Sequence, residues 1–137
     1  MNWKNNKVLI TGGASFIGSH LTEQLIELGA KVRIADNFSS GEKSHVKSLD
    51  CEILEGDLLN PEFCDQATDD IETVFHLAAD HGGRGYIDAH QVECSTNMIL
   101  DGQVFRHAHL NGVEKIIFAS SGCVYPTSAQ MDVSKEV

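Results

Sequence analysis

The chain has 137 residues, 42% hydrophobic and 22% charged, the proportions of a globular domain large enough for one packed core. Twenty acidic side chains against ten basic ones give a net charge of −10, which argues against nucleic acid as a partner, because a phosphate backbone needs a basic face. No apolar run approaches a membrane span, Met1-Asn2-Trp3-Lys4-Asn5-Asn6 is no signal peptide, and Cys51, Cys64, Cys94 and Cys123 lack metal-ligand spacing, so no metal site and free thiols in a reducing cytoplasm are expected.

The first element is a β-branched, apolar run, Lys7 to Thr11, that reads as a buried parallel strand. Gly12-Gly13-Ala14-Ser15-Phe16-Ile17-Gly18 follows as a turn. A helix then runs to Leu28, with Ile17, Leu21, Leu25 and Leu28 as its apolar face and Gly29 as its left-handed stop. Lys31 to Asp36 is the second strand. This strand, glycine turn, helix, strand and acid form the context in which a dinucleotide pyrophosphate sits on the helix N-terminus. Gly12 allows the tight turn, Gly18 allows close packing of the helix, and Asp36 can accept from the adenosine ribose hydroxyls. Position 15 departs from the pattern: Ser15 stands where glycine gives the phosphates clearance, although its hydroxyl could donate to a phosphate oxygen.

Asn37-Phe38-Ser39-Ser40-Gly41 is a loop at the adenosine end; Phe38 either covers the adenine or plugs the domain edge. Glu42 to Leu49 is a short, poor helix. Glu52 to Glu55 is a third strand, ending in Gly56-Asp57-Leu58, where Asp57 either accepts from the adenine amino group or caps a turn. Asn60-Pro61 opens a helix with Phe63, Cys64 and Ala67 inward. Thr73 to Ala79 is a fourth strand, within which His76 reads as a satisfied core histidine before a catalytic one. Asp80-His81-Gly82-Gly83-Arg84-Gly85-Tyr86 is a glycine-rich loop on the crevice side. Arg84 either pairs with a substrate phosphate or is solvated. One long helix is expected from Ile87 to Asn111-Gly112, with Ile87, Cys94, Met98, Phe105 and Ala108 on its buried face. Lys115 to Ser120 is the fifth strand, followed by Ser121-Gly122-Cys123-Val124-Tyr125-Pro126. Residues 127–137 are polar and carry no core pattern.

These motifs occur in an order that resembles the amino-terminal half of the extended short-chain dehydrogenases/reductases, within them the NAD-dependent nucleotide-sugar epimerases and dehydratases. Thr11 to Leu21, Asp36-Asn37-Phe38, Gly56-Asp57-Leu58, His76-Leu77-Ala78-Ala79, Asn97 and Ser120 to Pro126 carry the resemblance. It implies a Rossmann-type α/β fold, a parallel sheet in the order 3-2-1-4-5 with helices on both faces, cut off after the fifth strand. It also implies NAD as cofactor. Gly12, Ser15, Phe16, Ile17 and Gly18 would hold the pyrophosphate, and Asp36, Asn37 and Phe38 the adenosine. Asp57 and Leu58 would meet the adenine, and Leu77, Ala78 and Ala79 would line the ribose and phosphate path.

Ser120 and Ser121 would lie near the nicotinamide and the sugar. Ala78 to Ile87 and Ser120 to Pro126 resemble most the branch of the family that epimerises GDP-mannose, which favours a GDP-sugar substrate met by Gly82, Gly83 and Arg84. In that branch the residue matching Cys123 is an acid/base; a small packing thiol is the alternative. The full-length relatives are expected to be homodimers.

The family's catalytic tyrosine with a lysine four positions on has no match, since Tyr86 and Tyr125 are followed at that spacing by His90 and Ala129. Residues 1–137 are therefore expected to be an incomplete NAD-binding domain without its substrate-binding part, inactive by itself. A non-catalytic dinucleotide sensor is the alternative reading.

Overall fold

The computed structural model describes residues 2–121 and 124–126. Cys123 and the polar segment 127–137 lie outside the described residues, and so do the expectations that fall on them.

The strands are β1 (Lys7–Thr11), β2 (Lys31–Asp36), β3 (Glu52–Glu55), β4 (Thr73–His76) and β5 (Lys115–Phe118). The helices are α1 (Phe16–Glu27), α2 (Lys43–Val46), α3 (Pro61–Thr68), α4 (Arg84–Ala89), α5 (Gln91–Ser95) and α6 (Asn97–Leu110). All strand pairs are parallel, in the order β3-β2-β1-β4-β5, as expected. The register sets Thr11 beside Ala35 on one side and His76 on the other, so the C-terminal ends of the three central strands finish level.

Strand alternation divides the apolar side chains between two layers. Val8, Ile10, Val32 and Ile34 pack with Leu25 of α1 and Val46 of α2. Leu9, Ala35 and Val74 pack with Cys64 and Ala67 of α3 and Val104 and Ala108 of α6. The first two helices thus cover one face and α3 and α6 the other. Each valine, leucine or isoleucine among them contributes on the order of 1.5–3 kcal/mol when fully buried.

Three local expectations need correction. The buried face of α1 is Gly18, Ser19, Thr22 and Leu25, while Ile17 and Leu28 are exposed. The helix is turned by its small residues, because Gly18 presses against the backbone of the turn and Thr22 bonds back to Gly18 O at 2.8 Å. Secondly, β4 and β5 end at His76 and Phe118, short of Ala79 and Ser120. Their chains leave the ladder where the flanking strands stop.

Finally, the long helix is three helices. The chain breaks at His90, whose φ of −128° and ψ of 46° close α4, restarts as α5 and restarts again as α6. Of the five residues expected inside, only Ala108 is buried; Met98 is 76% exposed. The periodicity misled because α4 and α5 bury no residue, and a helix without a packed face gains little from continuing. Gly29, at φ +85°, ends α1 as its sequence position suggested.

Candidate functional site

A cleft of about 550 Å³ opens at the C-terminal edge of the sheet, where the order reverses between β1 and β4. Parallel sheets place ligands at this position, and the volume is that of a small-molecule site.

The turn after β1 forms its floor. Gly12 has φ +69°, and a Cβ there would stand 3.1 Å from the backbone N and Cα of Ala78. At Gly18 a Cβ would stand 2.2 Å from Gly12 O, so α1 begins hard against the strand end only because residue 18 lacks a side chain. Ser15 caps α1: its hydroxyl accepts from Gly18 N at 3.2 Å and donates to Gly12 O at 2.7 Å. The N–H groups of Phe16 and Ile17, the first two of α1, have no partner among the described residues. These are the donors the turn offers an anion. Their side chains point away, 74% and 69% exposed.

The Ser15 hydroxyl hydrogen is committed to Gly12 and is not aimed at a ligand. Ser15→Gly should therefore change stability by only a few tenths of a kcal/mol and leave dinucleotide affinity equal or tighter, as read by calorimetry. A loss beyond about tenfold, 1.4 kcal/mol, would reveal a contact made by the hydroxyl.

Asp36 stands at the end of β2, 7% exposed, on the wall of the cleft. One carboxylate oxygen accepts from Ala14 N at 2.9 Å and the other from Phe38 N at 2.8 Å. Each oxygen keeps a further lone pair for a ligand hydroxyl. Asn37, Ser39 and Ser40 continue the wall. Phe38 does not: at φ +55° it packs on the core, with Lys43 Nζ 4.9 Å from its ring centroid.

Asp57 and Leu58 line the far end, and Asp57 also caps its turn by accepting from Leu59 N at 2.8 Å. Leu77, Ala78 and Ala79 form the opposite wall. Arg33 and Lys43 are engaged elsewhere. Arg33 pairs with Glu52 at 2.7 Å and donates to Ala67 O and Asp69 O at the end of α3, and Lys43 pairs with Glu55 at 2.5 Å. The described lining carries Asp36, Asp57 and Asp80 and no lysine or arginine.

The expected substrate-side residues are less gathered. Gly82 lies beneath the Tyr86 ring, where a Cβ would stand 2.6 Å from ring carbon. Gly83 caps α4, and Arg84 opens it, exposed and without an ion pair among the described residues. Ser120 and Ser121 follow β5 at the same edge of the sheet, exposed and outside the described lining.

In their place the cleft is closed by a group whose roles the sequence did not announce. Asn97 Oδ1 accepts from Asp80 N at 2.7 Å, and its Nδ2 donates to Asp80 O at 2.8 Å. Tyr86 donates to Asp80 Oδ1 at 2.8 Å and stacks on His90, with ring centroids 4.1 Å apart. That hydrogen bond raises the Tyr86 pKa, so the phenol is a donor and no base. His76 is buried within the sheet, as expected, held by Thr11 and Asp101. Cys64 is buried too; burial first and Asp57 second push its thiol up to about 11, which makes it unreactive.

The description "NAD dependent epimerase/dehydratase family" belongs to a family model that matches residues 8–137. The chain is 33% identical over 132 residues to GDP-mannose 3,5-epimerase of Arabidopsis thaliana, covering 96% of this chain and 35% of that protein. Among solved structures, an epimerase from Methanothermobacter thermautotrophicus superposes with a TM-score of 0.84 at 32% identity, over 98% of this chain and 40% of that one. A UDP-glucose 4-epimerase of Thermus thermophilus in complex with NAD gives 0.76 at 30% identity, over 85% and 38%. The chain therefore spans roughly a third of the length of the curated relative. By this match and these likenesses, it belongs to the NAD-dependent epimerase/dehydratase family.

Proposed function

We propose that residues 1–137 are the NAD-binding portion of a nucleotide-sugar epimerase or dehydratase whose substrate is held by a further part of the protein. The observation that carries this reading is the cleft at the β1/β4 reversal. It joins Gly12 and Ser15 of the turn, beside the first two N–H groups of α1, which have no partner among the described residues, to the Asp36 carboxylate at the end of β2. The donor set suits a dinucleotide: N–H groups and a helix dipole for the pyrophosphate, a carboxylate for the ribose hydroxyls, and close backbone at Gly12 and Ala78 between them.

Bound there, NAD supplies reversible hydride acceptance from a sugar carbon. The residues of this chain orient it. Phe16 and Ile17 act through backbone N–H, Asp36 through its carboxylate, Asp57 and Leu58 at the adenine end, and Leu77 to Ala79 along the opposite wall. Ser120, Ser121, Gly82, Gly83 and Arg84 face the sugar side in this reading, and a GDP-sugar is the favoured substrate. Cys123 would exchange a carbon-bound proton beside the oxidised carbon, a task open to thiols because their unperturbed pKa of about 8.5 is close to neutrality. Solvent deuterium incorporation into GDP-mannose by a longer protein carrying this segment tests that role; equal incorporation by its Cys123→Ser variant would remove the thiol from the mechanism.

The cofactor reading is tested by calorimetry with NAD and NADP. Asp36 would repel a 2′-phosphate, and neither Arg33 nor Lys43 is free to compensate. NAD should bind at least tenfold tighter than NADP, about 1.4 kcal/mol, and Asp36→Ala should shrink that ratio by weakening NAD. Tighter binding of NADP to the unmutated chain would overturn the assignment.

A further inference from the structure

We propose that Thr11, His76 and Asp101 form a positioning relay through which protonation of a buried imidazole loosens the cofactor wall at Leu77 and Ala78. The inference rests on the cofactor reading above only for its effect on NAD.

The hydrogens along the relay follow from counting. Leu77 N and Ala78 N both donate to Thr11 Oγ1, each at 3.1 Å. A hydroxyl oxygen has two lone pairs, and both are then filled. The 2.6 Å contact between Thr11 Oγ1 and His76 Nδ1 must therefore carry the threonine hydrogen, with Nδ1 as acceptor. The ring proton sits on Nε2, which donates to Asp101 Oδ1 at 3.0 Å.

The partners fix the neutral tautomer, and two aromatic rings flank it. Phe105 of α6 and Phe118 of β5 lie against the ring, both at 5.7 Å between centroids. Asp101 is the ionisable group facing it, with Thr11 from β1 contributing only a hydroxyl.

A proton added at Nδ1 meets an oxygen with no lone pair to give. The threonine hydrogen has to turn away, and one of the two N–H bonds has to give way: either the Leu77 N–H falls back on Thr11 O, which it already reaches at 3.3 Å, or the Ala78 N–H loses its acceptor. Those residues line the cleft, and Ala78 abuts Gly12 of the phosphate turn. Burial lowers the His76 pKa from 6.5 and outweighs the opposing pull of Asp101, so the neutral relay persists at neutral pH and fails on the acid side. Linkage is reciprocal: a dinucleotide that needs the wall intact must lower the imidazole pKa further.

Two measurements on the 137-residue chain test this. In nuclear magnetic resonance of the free protein, the neutral His76 should carry its proton on Nε2. The Leu77 and Ala78 amides should then shift with the same midpoint as the imidazole. Amides that stay fixed through that titration, or a neutral ring protonated on Nδ1, would overturn the relay. In calorimetry from about pH 7.5 to about pH 5.5, above the carboxylate range, NAD affinity should fall measurably but by less than about tenfold, because the His76 pKa is lowered from its ordinary value. His76→Asn, whose side-chain carbonyl can replace Nδ1 as acceptor, should show a flat profile. A parent profile as flat as the variant's would overturn the coupling. Should NAD fail to bind at every pH, the cofactor reading falls while the resonance experiment still decides the relay.

Discussion

Gly18→Ala should both destabilise the fold and disable the cleft. The added Cβ would lie 2.2 Å from Gly12 O and 2.8 Å from Gly13 Cα. Both are backbone atoms of the turn, so no rotamer change relieves the clash. Either α1 slides away from β1 or the turn opens, and both displace the Phe16 and Ile17 N–H groups. Overpacking of this kind costs about 1–3 kcal/mol, and the upper end is expected because Ser19 and Thr22, on the same buried face, move with it. NAD affinity should fall more than tenfold, over 1.4 kcal/mol.

Denaturant unfolding and calorimetry read the two effects. Gly102→Ala, in the middle of α6 with nothing within 4 Å of its added Cβ, is the control. It should stabilise by about 0.5–1 kcal/mol through helix entropy. A Gly18→Ala protein as stable as its parent and with unchanged affinity would mean that the close approach of helix to strand has no role.

No turnover of any nucleotide sugar is expected from residues 1–137, even with NAD bound. Oxidation of a sugar hydroxyl needs a base to take its proton, worth about 10²- to 10⁴-fold. Neither tyrosine has a lysine four positions on. Tyr86 lines the cleft, but it donates to Asp80 and its pKa is raised, the wrong direction for a base. Orientation of the sugar can contribute about 7–11 kcal/mol, and the described residues proposed for the sugar side are exposed rather than gathered round a pocket. The check is appearance of reduced cofactor, and separately solvent deuterium in recovered GDP-mannose. Either signal from the 137-residue chain would show that another group supplies the base.

Much of the architecture was legible because it is local. Lys7–Thr11 and Lys31–Asp36 matched their strands residue for residue, since a β-branched run between a turn and a glycine-ended helix has few alternatives. The Asn60 cap with Pro61 at N1 and the stop at Gly29 are set by backbone chemistry within a turn of chain. The family order of motifs then carried the strand order.

Tertiary structure alone decided where chain segments distant in sequence meet. Which face of α1 is buried depended on how closely Gly18 and Thr22 approach the sheet, and the larger Ile17 and Leu28 stayed outside. The stripe from Ile87 to Ala108 looked continuous, but the break at His90 came from segments that find no surface to pack on. Ser15 spends its hydroxyl on Gly12, and Asn97 grips Asp80 from seventeen residues away. Thr11, His76 and Asp101 come from two strands and a helix, and no spacing announces them. Local propensity specifies elements from neighbouring residues, whereas the hydrogen-bond partner of a buried polar group is chosen by packing, which brings remote segments into contact.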